Sequence, residues 1–232
     1  MGPISRYLTI STPRQAVVVT FDDALTTEYT EGFTYMHSLG LKGTIYVITS
    51  KIDVAGYMTA DQLAEVYAAG WDLGNHTHEH TYAIAAGLSQ AQYENQLVAC
   101  QEALDALGFT RASRHVAYPG GENNADVWAA MTATDMLTGR TISPGNFYLP
   151  GIDRQRINGT NFNNTVSLAT AKGYVDDALA NEKICCLLFH GLVENNALGS
   201  QWLIADFQAL IDYIAASSIR VSTISELAQR VI

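Results

Sequence analysis

The sequence predicts an α/β fold, a (β/α) barrel, from three observations. Short apolar or β-branched runs alternate with stretches of helical period along nearly the whole chain. Several of those runs are continuously apolar, as in parallel strands buried on both faces. Two polar clusters, Asp22-Asp23 and His76 to His80, fall at the ends of such runs, where α/β folds carry their chemistry. No linker, repeat or low-complexity segment interrupts residues 1–232, so a single domain is expected.

The elements follow in order. Ala16 to Phe21 reads as a buried strand. Thr30 to Leu39 reads as a helix stopped by Gly40, and Gly43 to Ile48 as a β-branched strand. Thr59 caps a helix that runs through Ala69 and stops at Gly70. Trp71 to Asn75 is the next strand. Ser89 and Gln92 form a capping box for a long helix to Leu107, stopped by Gly108, with Tyr93, Leu97, Cys100, Leu104 and Leu107 recurring along its apolar face. His115 to Tyr118 is a short strand, Asp126 to Thr134 a helix, and Leu137 to Gly159 a Gly- and Pro-containing stretch of short strands and loops. Ala169 to Leu179 is helical and Ile184 to Phe189 a buried strand. Trp202 to Ala216 is helical, Ile219 to Thr223 a last strand, and Ser225 to Val231 a closing helix.

Composition narrows the function. With 232 residues, 48% hydrophobic and 16% charged, the chain has a globular composition and enough length for one full core. Its net charge of −10 argues against nucleic acid or an anionic membrane surface, since both require clustered Lys and Arg. Cys100, Cys185 and Cys186 are an odd set in apolar surroundings, read as buried thiols rather than a disulfide framework. No run reaches the roughly 20 apolar residues of a membrane span. Met1 to Ile10 lacks the charged and apolar regions of a signal peptide, so none is expected in this chain; the compartment stays open.

The polar clusters suggest chemistry. Imidazole nitrogen and carboxylate oxygen are ligands of a borderline divalent metal such as zinc. His76 and His80, four apart, with one distant aspartate fill three positions and leave others open, as in a catalytic site. Taken singly, each cluster also suits a surface histidine or a turn of paired aspartates. Together, at strand ends, they point to a metal-dependent hydrolase.

Three motifs then carry a resemblance. Thr20-Phe21-Asp22-Asp23, His76-Thr77-His78-Glu79-His80 and Leu188-Phe189-His190 stand in the order found in the polysaccharide deacetylase family, the NodB homology domain of carbohydrate esterase family four. The resemblance spans about Ala16 to Val231 and implies a distorted (β/α)7 barrel. It implies that Asp23, His76 and His80 bind one divalent metal, zinc by preference, with cobalt or nickel as substitutes. It implies Asp22 as general base toward the attacking water, His190 as general acid toward the leaving amine, and Leu188 as the wall beside the acetyl methyl. Thr77 fits a turn-stabilising hydroxyl. His78 and Glu79 are not ligand positions in this pattern, although a third histidine ligand is the alternative that the alternation His76, His78, His80 leaves open.

The third motif departs from the common pattern. Ala117-Tyr118-Pro119-Gly120-Gly121 stands where many members have Arg-Pro-Pro-Tyr-Gly, and is similar to a subgroup that reads Phe-Ala-Tyr-Pro-Tyr-Gly. The missing arginine would pair with the catalytic aspartate. Arg154 and Arg156, alternating with isoleucines, are the expected replacements, against the alternative that both are surface charges. The Gly120 N–H is a candidate oxyanion donor, with Tyr118 beside it on the substrate side. Asp153 is a weaker candidate for orienting His190. Trp128 is expected in the core, and Trp202 either caps the barrel or lines the groove. Tyr82, Asn123, Asn124, Asn146, Phe147 and Tyr148 lie in loops expected to face the site.

The expected activity is removal of acetyl groups from an N-acetylglucosamine-containing polymer or oligomer, such as chitin, chito-oligosaccharide or peptidoglycan. O-acetyl esterase activity on xylan or another glycan uses the same residues. A non-catalytic carbohydrate-binding module is the third reading, and the intact set Asp22, Asp23, His76, His80 and His190 argues against it.

Overall fold

Strand β1 (Ala16–Asp23) sends Val17, Val19 and Phe21 outward into a core shared with helices, and Ala16 and Val18 inward to a second core. The same two-residue period places Thr20 and Asp22 on the inner face. This alternation sets the architecture. The computed structural model describes residues 15–149 and 152–230. The expectations that touch Met1–Ile10, Gly151 and Val231 lie outside the described residues.

Six further strands complete the sheet: β2 (Thr44–Val47), β3 (Asp72–Asn75), β4 (Ala112–Ala117), β5 (Thr138–Arg140), β6 (Thr160–Asn161) and β7 (Ile184–Phe189). Their order is β5-β4-β3-β2-β1-β7-β6, and every neighbouring pair is parallel. The sheet curls into a half-barrel. One chain segment bridges its two edges: Gly139 N–H donates to Arg154 C=O (2.7 Å) and Thr141 N–H to Ile157 C=O (2.8 Å), and the same segment continues into β6 against β7. That is the distorted (β/α)7 barrel of the sequence expectation.

Helices α1 (Thr34–Ser38), α2 (Ala60–Ala68), α3 (Gln90–Ala106), α4 (Ala125–Ala133), α5 (Leu168–Ala180), α6 (Ile204–Ala216) and α7 (Ile224–Ala228) lie between or after the strands. Thr59 with Gln62, and Ser89 with Gln92, form reciprocal capping boxes that start α2 and α3. Outside β1, β2 and β7, the rings of Phe21, Phe33, Trp71, Phe162, Phe189 and Phe207 pack in a continuous aromatic cluster. Each such side chain contributes roughly 1.5–3 kcal/mol by burial.

Three elements differ from expectation. The helix foreseen from Thr30 begins earlier, with Thr26 and Thr27 helical and a π-helical turn (Glu28–Phe33) running into α1. Trp202 and Leu203 form a two-residue strand, β9, parallel to β8 (Leu192–Val193), before α6 starts. The last expected strand is a single bridge, Val221 to Val17. Beyond that point β1 is already paired, to β2 from Thr20 onward and to β7 along its other edge. All three cysteines are buried and unbridged.

Candidate metal and catalytic centre

Five strands end at one place. Asp22 and Asp23 close β1, His76 follows β3, Ala117 closes β4, Arg140 closes β5 and His190 follows β7. Because the strands are parallel, all these ends share one rim of the barrel.

Asp23 Oδ1 lies 3.4 Å from His76 Nε2 and 3.4 Å from His80 Nε2. Ligand atoms of these three residues all fall within 4.8 Å of one another. The state of His76 follows from its other nitrogen. Nδ1 sits 2.8 Å from the Ala117 carbonyl, which only accepts, so Nδ1 carries the proton and the Nε2 lone pair faces Asp23. Asp23 Oδ1 is buried and receives no hydrogen bond from the described residues. Two imidazole nitrogens and a carboxylate oxygen thus converge on one point, where they could hold a cation. Two imidazoles and one carboxylate suit zinc by donor type. Burial works against the charge of Asp23, but His76, His80 and His190 outweigh it and hold its carboxyl at about 2. Burial also opposes charge on His76, yet Asp22 and Asp23 raise it above the ordinary imidazole value. His80 is lowered by burial and by His76.

The segments that carry Asp23, His76 and His80 are strained. Asp23 (φ 84°), Ala24 (59°), Thr77 (63°) and His80 (59°) all occupy the left-handed region without being glycine. Such residues cost about 1–3 kcal/mol each and cluster at functional sites. The histidine turn is held by its own side chains and by α3. Thr77 N–H donates to Asn75 Oδ1 (2.9 Å), His80 N–H to Thr77 Oγ1 (3.0 Å) and Glu79 N–H to Gln96 Oε1 (2.9 Å). Thr77 is thus the turn-stabilising hydroxyl. His78 turns to Thr49 Oγ1 (2.9 Å) and Glu79 to Gln96, so neither joins the cluster.

Asp22 is 2% exposed and faces the barrel interior. Its partner is Arg140, whose Nη2 lies 2.5 Å from both carboxylate oxygens. This corrects the expectation for Arg154 and Arg156. Arg156 is exposed and pairs with Asp153 at 2.6 Å, while Arg154 lines a pocket with Thr138, Ile152 and Leu227 at the opposite end of β5. The reason is register. Arg140 is the in-register neighbour of Ala117, so the guanidinium arrives at the expected level from the adjacent strand. It stacks on Tyr46 with its carbon 5.1 Å from the ring centroid. Gly159 makes room for it: a Cβ there would stand 2.7 Å from Arg140 Cδ. The signal in the sequence was slight, an arginine two residues after Thr138 in a short β-branched stretch.

His190 is near enough to Asp22, Asp23, His76 and Arg140 for their charges to act on it. Burial lowers its pKa, against the two aspartates. Leu188, two residues earlier, is fully buried on the inner face of β7. Gly120 is exposed with φ +61°, and the turn bonds from Gly121 and Glu122 leave its N–H outside the turn's own bonding. Tyr118 does not face substrate. Its ring is buried with Tyr93, Leu97 and Val127, and its hydroxyl donates to Gln155 C=O at 2.9 Å, because the β4 alternation turns it outward. Asp153 is engaged by Arg156 and by the Gln155 N–H rather than by His190.

Of the loop residues, Tyr82 stands edge-on to His80 with centroids 5.4 Å apart. Asn124 caps α4 and Asn123 donates to Gly121 C=O. Asn146, Phe147 and Tyr148 lie at the far end instead, since Phe147 bridges Ile184 at the start of β7. Trp202 is buried against Phe162 and Phe189 with its indole N–H on Val166 C=O.

Residues 9–138 match the family model described as polysaccharide deacetylase. YxkH of Bacillus subtilis (strain 168) is 27% identical over 131 residues, 56% of this chain and 46% of that protein. The poly-beta-1,6-N-acetyl-D-glucosamine N-deacetylase of Staphylococcus epidermidis is 26% identical over 156 residues, 62% of this chain and 54% of that protein. The chain thus spans about half the length of these curated relatives. Among solved structures, the Xyl-CE4 domain of a multidomain xylanase from the hindgut metagenome of Trinervitermes trinervoides superposes with a TM-score of 0.64. It is 17% identical, covering 93% of this chain and 90% of that one.

Proposed function

The chain belongs to the polysaccharide deacetylase family, and from that premise we propose that it hydrolyses the N-acetyl group of an N-acetylglucosamine-containing polymer or oligomer, with one divalent cation held by Asp23, His76 and His80. The observation that carries this reading is the convergence of acceptor atoms within 4.8 Å, beside an aspartate already tied to a buried arginine. When bound there, zinc supplies Lewis acidity to the acetyl carbonyl and a lower pKa to water.

The chain's own residues divide the remaining work. Arg140 fixes both oxygens of Asp22, leaving the carboxylate oriented to take a proton from the attacking water. His190 faces the same space and delivers a proton to the leaving nitrogen. Without that proton the nitrogen would have to leave as an amide anion, a poor leaving group. The Gly120 N–H stabilises the developing oxyanion. Leu188 on the inner face limits the acyl group to about the size of acetyl. The choice of sugar amide rests on the name of the Staphylococcus epidermidis relative and on an acidic chain suited to a neutral substrate and a cationic amine product.

Acetate release from chito-oligosaccharide, poly-N-acetylglucosamine, peptidoglycan and acetylated xylan tests the reading, each with and without a chelator. The expected result is release from the N-acetylated substrates, abolished by chelation and restored by zinc. Asp22→Asn should lower it by about 10²–10⁴-fold. Release confined to acetylated xylan would transfer the assignment to an O-acetyl esterase, and release from none would end it.

A further inference from the structure

Glu28 is a fully buried carboxyl that the chemistry above does not use. It opens the π-helical turn behind the site. Widened turns of this kind recur at functional positions. Its Oε2 accepts the Leu25 N–H at 3.0 Å, and its own backbone N–H donates to the Leu25 carbonyl at 3.0 Å. Glu28 thereby clasps Leu25 from both sides. Leu25 directly follows Asp23 and Ala24, the two consecutive left-handed residues of β1's end. Alanine pays for that conformation, because its Cβ crowds the backbone. Two more bonds pin the same turn: Met58 N–H to Ala24 C=O (2.8 Å) and Thr26 N–H to Gly56 C=O (2.9 Å).

We propose that Glu28 is a positioning residue that, by accepting the Leu25 N–H, locks the strained Asp23-Ala24-Leu25 turn and so holds the Asp23 carboxylate in its ligand position. The proposal rests on the reading of Asp23 as a metal ligand. Its chemistry is that of an acceptor held by geometry. Burial, then the charges of Asp23 and Asp22, push the Glu28 carboxyl well above the usual carboxylate range, while the Leu25 and Ala24 N–H groups pull the other way. The alternative is that Glu28 only fills space beneath the barrel rim.

Zinc titration of the metal-free protein against a competing chromophoric chelator separates these. Glu28→Gln keeps the acceptor and should bind zinc close to the wild-type affinity. Glu28→Met keeps the volume but not the acceptor, and should weaken zinc binding roughly 10- to 100-fold, the usual effect of removing a group that orients a ligand. Adding Ala24→Gly to Glu28→Met should recover much of the loss, since glycine adopts the left-handed conformation without the cost. A space-filling role would lower thermal stability without moving the zinc affinity of the folded protein. If Glu28→Met fails to fold, Glu28→Asp, one methylene too short to reach the Leu25 N–H, takes its place. Wild-type affinity in Glu28→Met, equal losses in Met and Gln, or no recovery with Ala24→Gly would each overturn the proposal. A wild-type protein that binds no zinc would instead remove the metal-site reading beneath it.

Discussion

Asp22 and Arg140 show how one pair sets the electrostatics of the rim. Both are buried, and each would be costly alone. Arg140→Met leaves the Asp22 charge uncompensated and should cost about 3–5 kcal/mol of stability. Turnover should fall by about 10²-fold or more, because the proposed base, Asp22, loses its orientation, while zinc content is unchanged. Arg156→Met breaks only an exposed pair with Asp153 and should stay within about 1 kcal/mol of wild type. Urea denaturation and steady-state kinetics on the two variants check the contrast; the reverse order would contradict the assignment of Arg140. The metal-type residues were legible in the sequence because each lies in a short contiguous motif at a strand end. Arg140 was not, since its partner is 118 positions away and only the strand register brings them together. Tyr118 was misplaced for a related reason: its motif position is clear, but the outward turn of its ring depends on where β4 stops.

At the scale of elements, capping chemistry and apolar runs made most of the barrel readable. Thr59 and Ser89 start their helices as their sequences imply. The misread segments are those decided by neighbours. Val221 meets β1 only where β2 leaves room, and the π-helical turn begins before the periodic stretch that marks its helix. One contact between strands gives a pH signature independent of metal. His115 on β4 lies with Nδ1 2.8 Å from Thr138 Oγ1 on β5. Burial, helped by the charge of Arg114, lowers its pKa from 6.5 to about 4. Between those values the unfolded chain binds a proton that the folded chain does not. The contribution to stability is therefore complete above pH 6.5 and is lost as pH falls toward 4, on the order of 3 kcal/mol in all. In the metal-free protein, His115→Gln should flatten that limb of the stability curve. A variant curve parallel to wild type would assign the limb to another group.

For the whole molecule, the half-barrel gathers residues from five strands onto one rim, and the bridging segment 154–161 carries the curl round to β7. Gly159 lies in that segment, so the chain that joins the two edges also makes room for Arg140. The inner face and rim of the sheet thus carry Asp22, Arg140, Leu188 and His190, while the aromatic layer packs outside it. The proposed activity requires that one cation on Asp23, His76 and His80 makes this rim a hydrolase. Stepwise addition of zinc to the metal-free protein, with acetate release from an N-acetylglucosamine oligomer followed at each step, tests it most directly. The rate should climb linearly and break at one zinc per chain, and His76→Ala and His80→Ala proteins should stay near zero throughout. Full acetate release by the metal-free protein, or a break unaffected by either substitution, would contradict the claim.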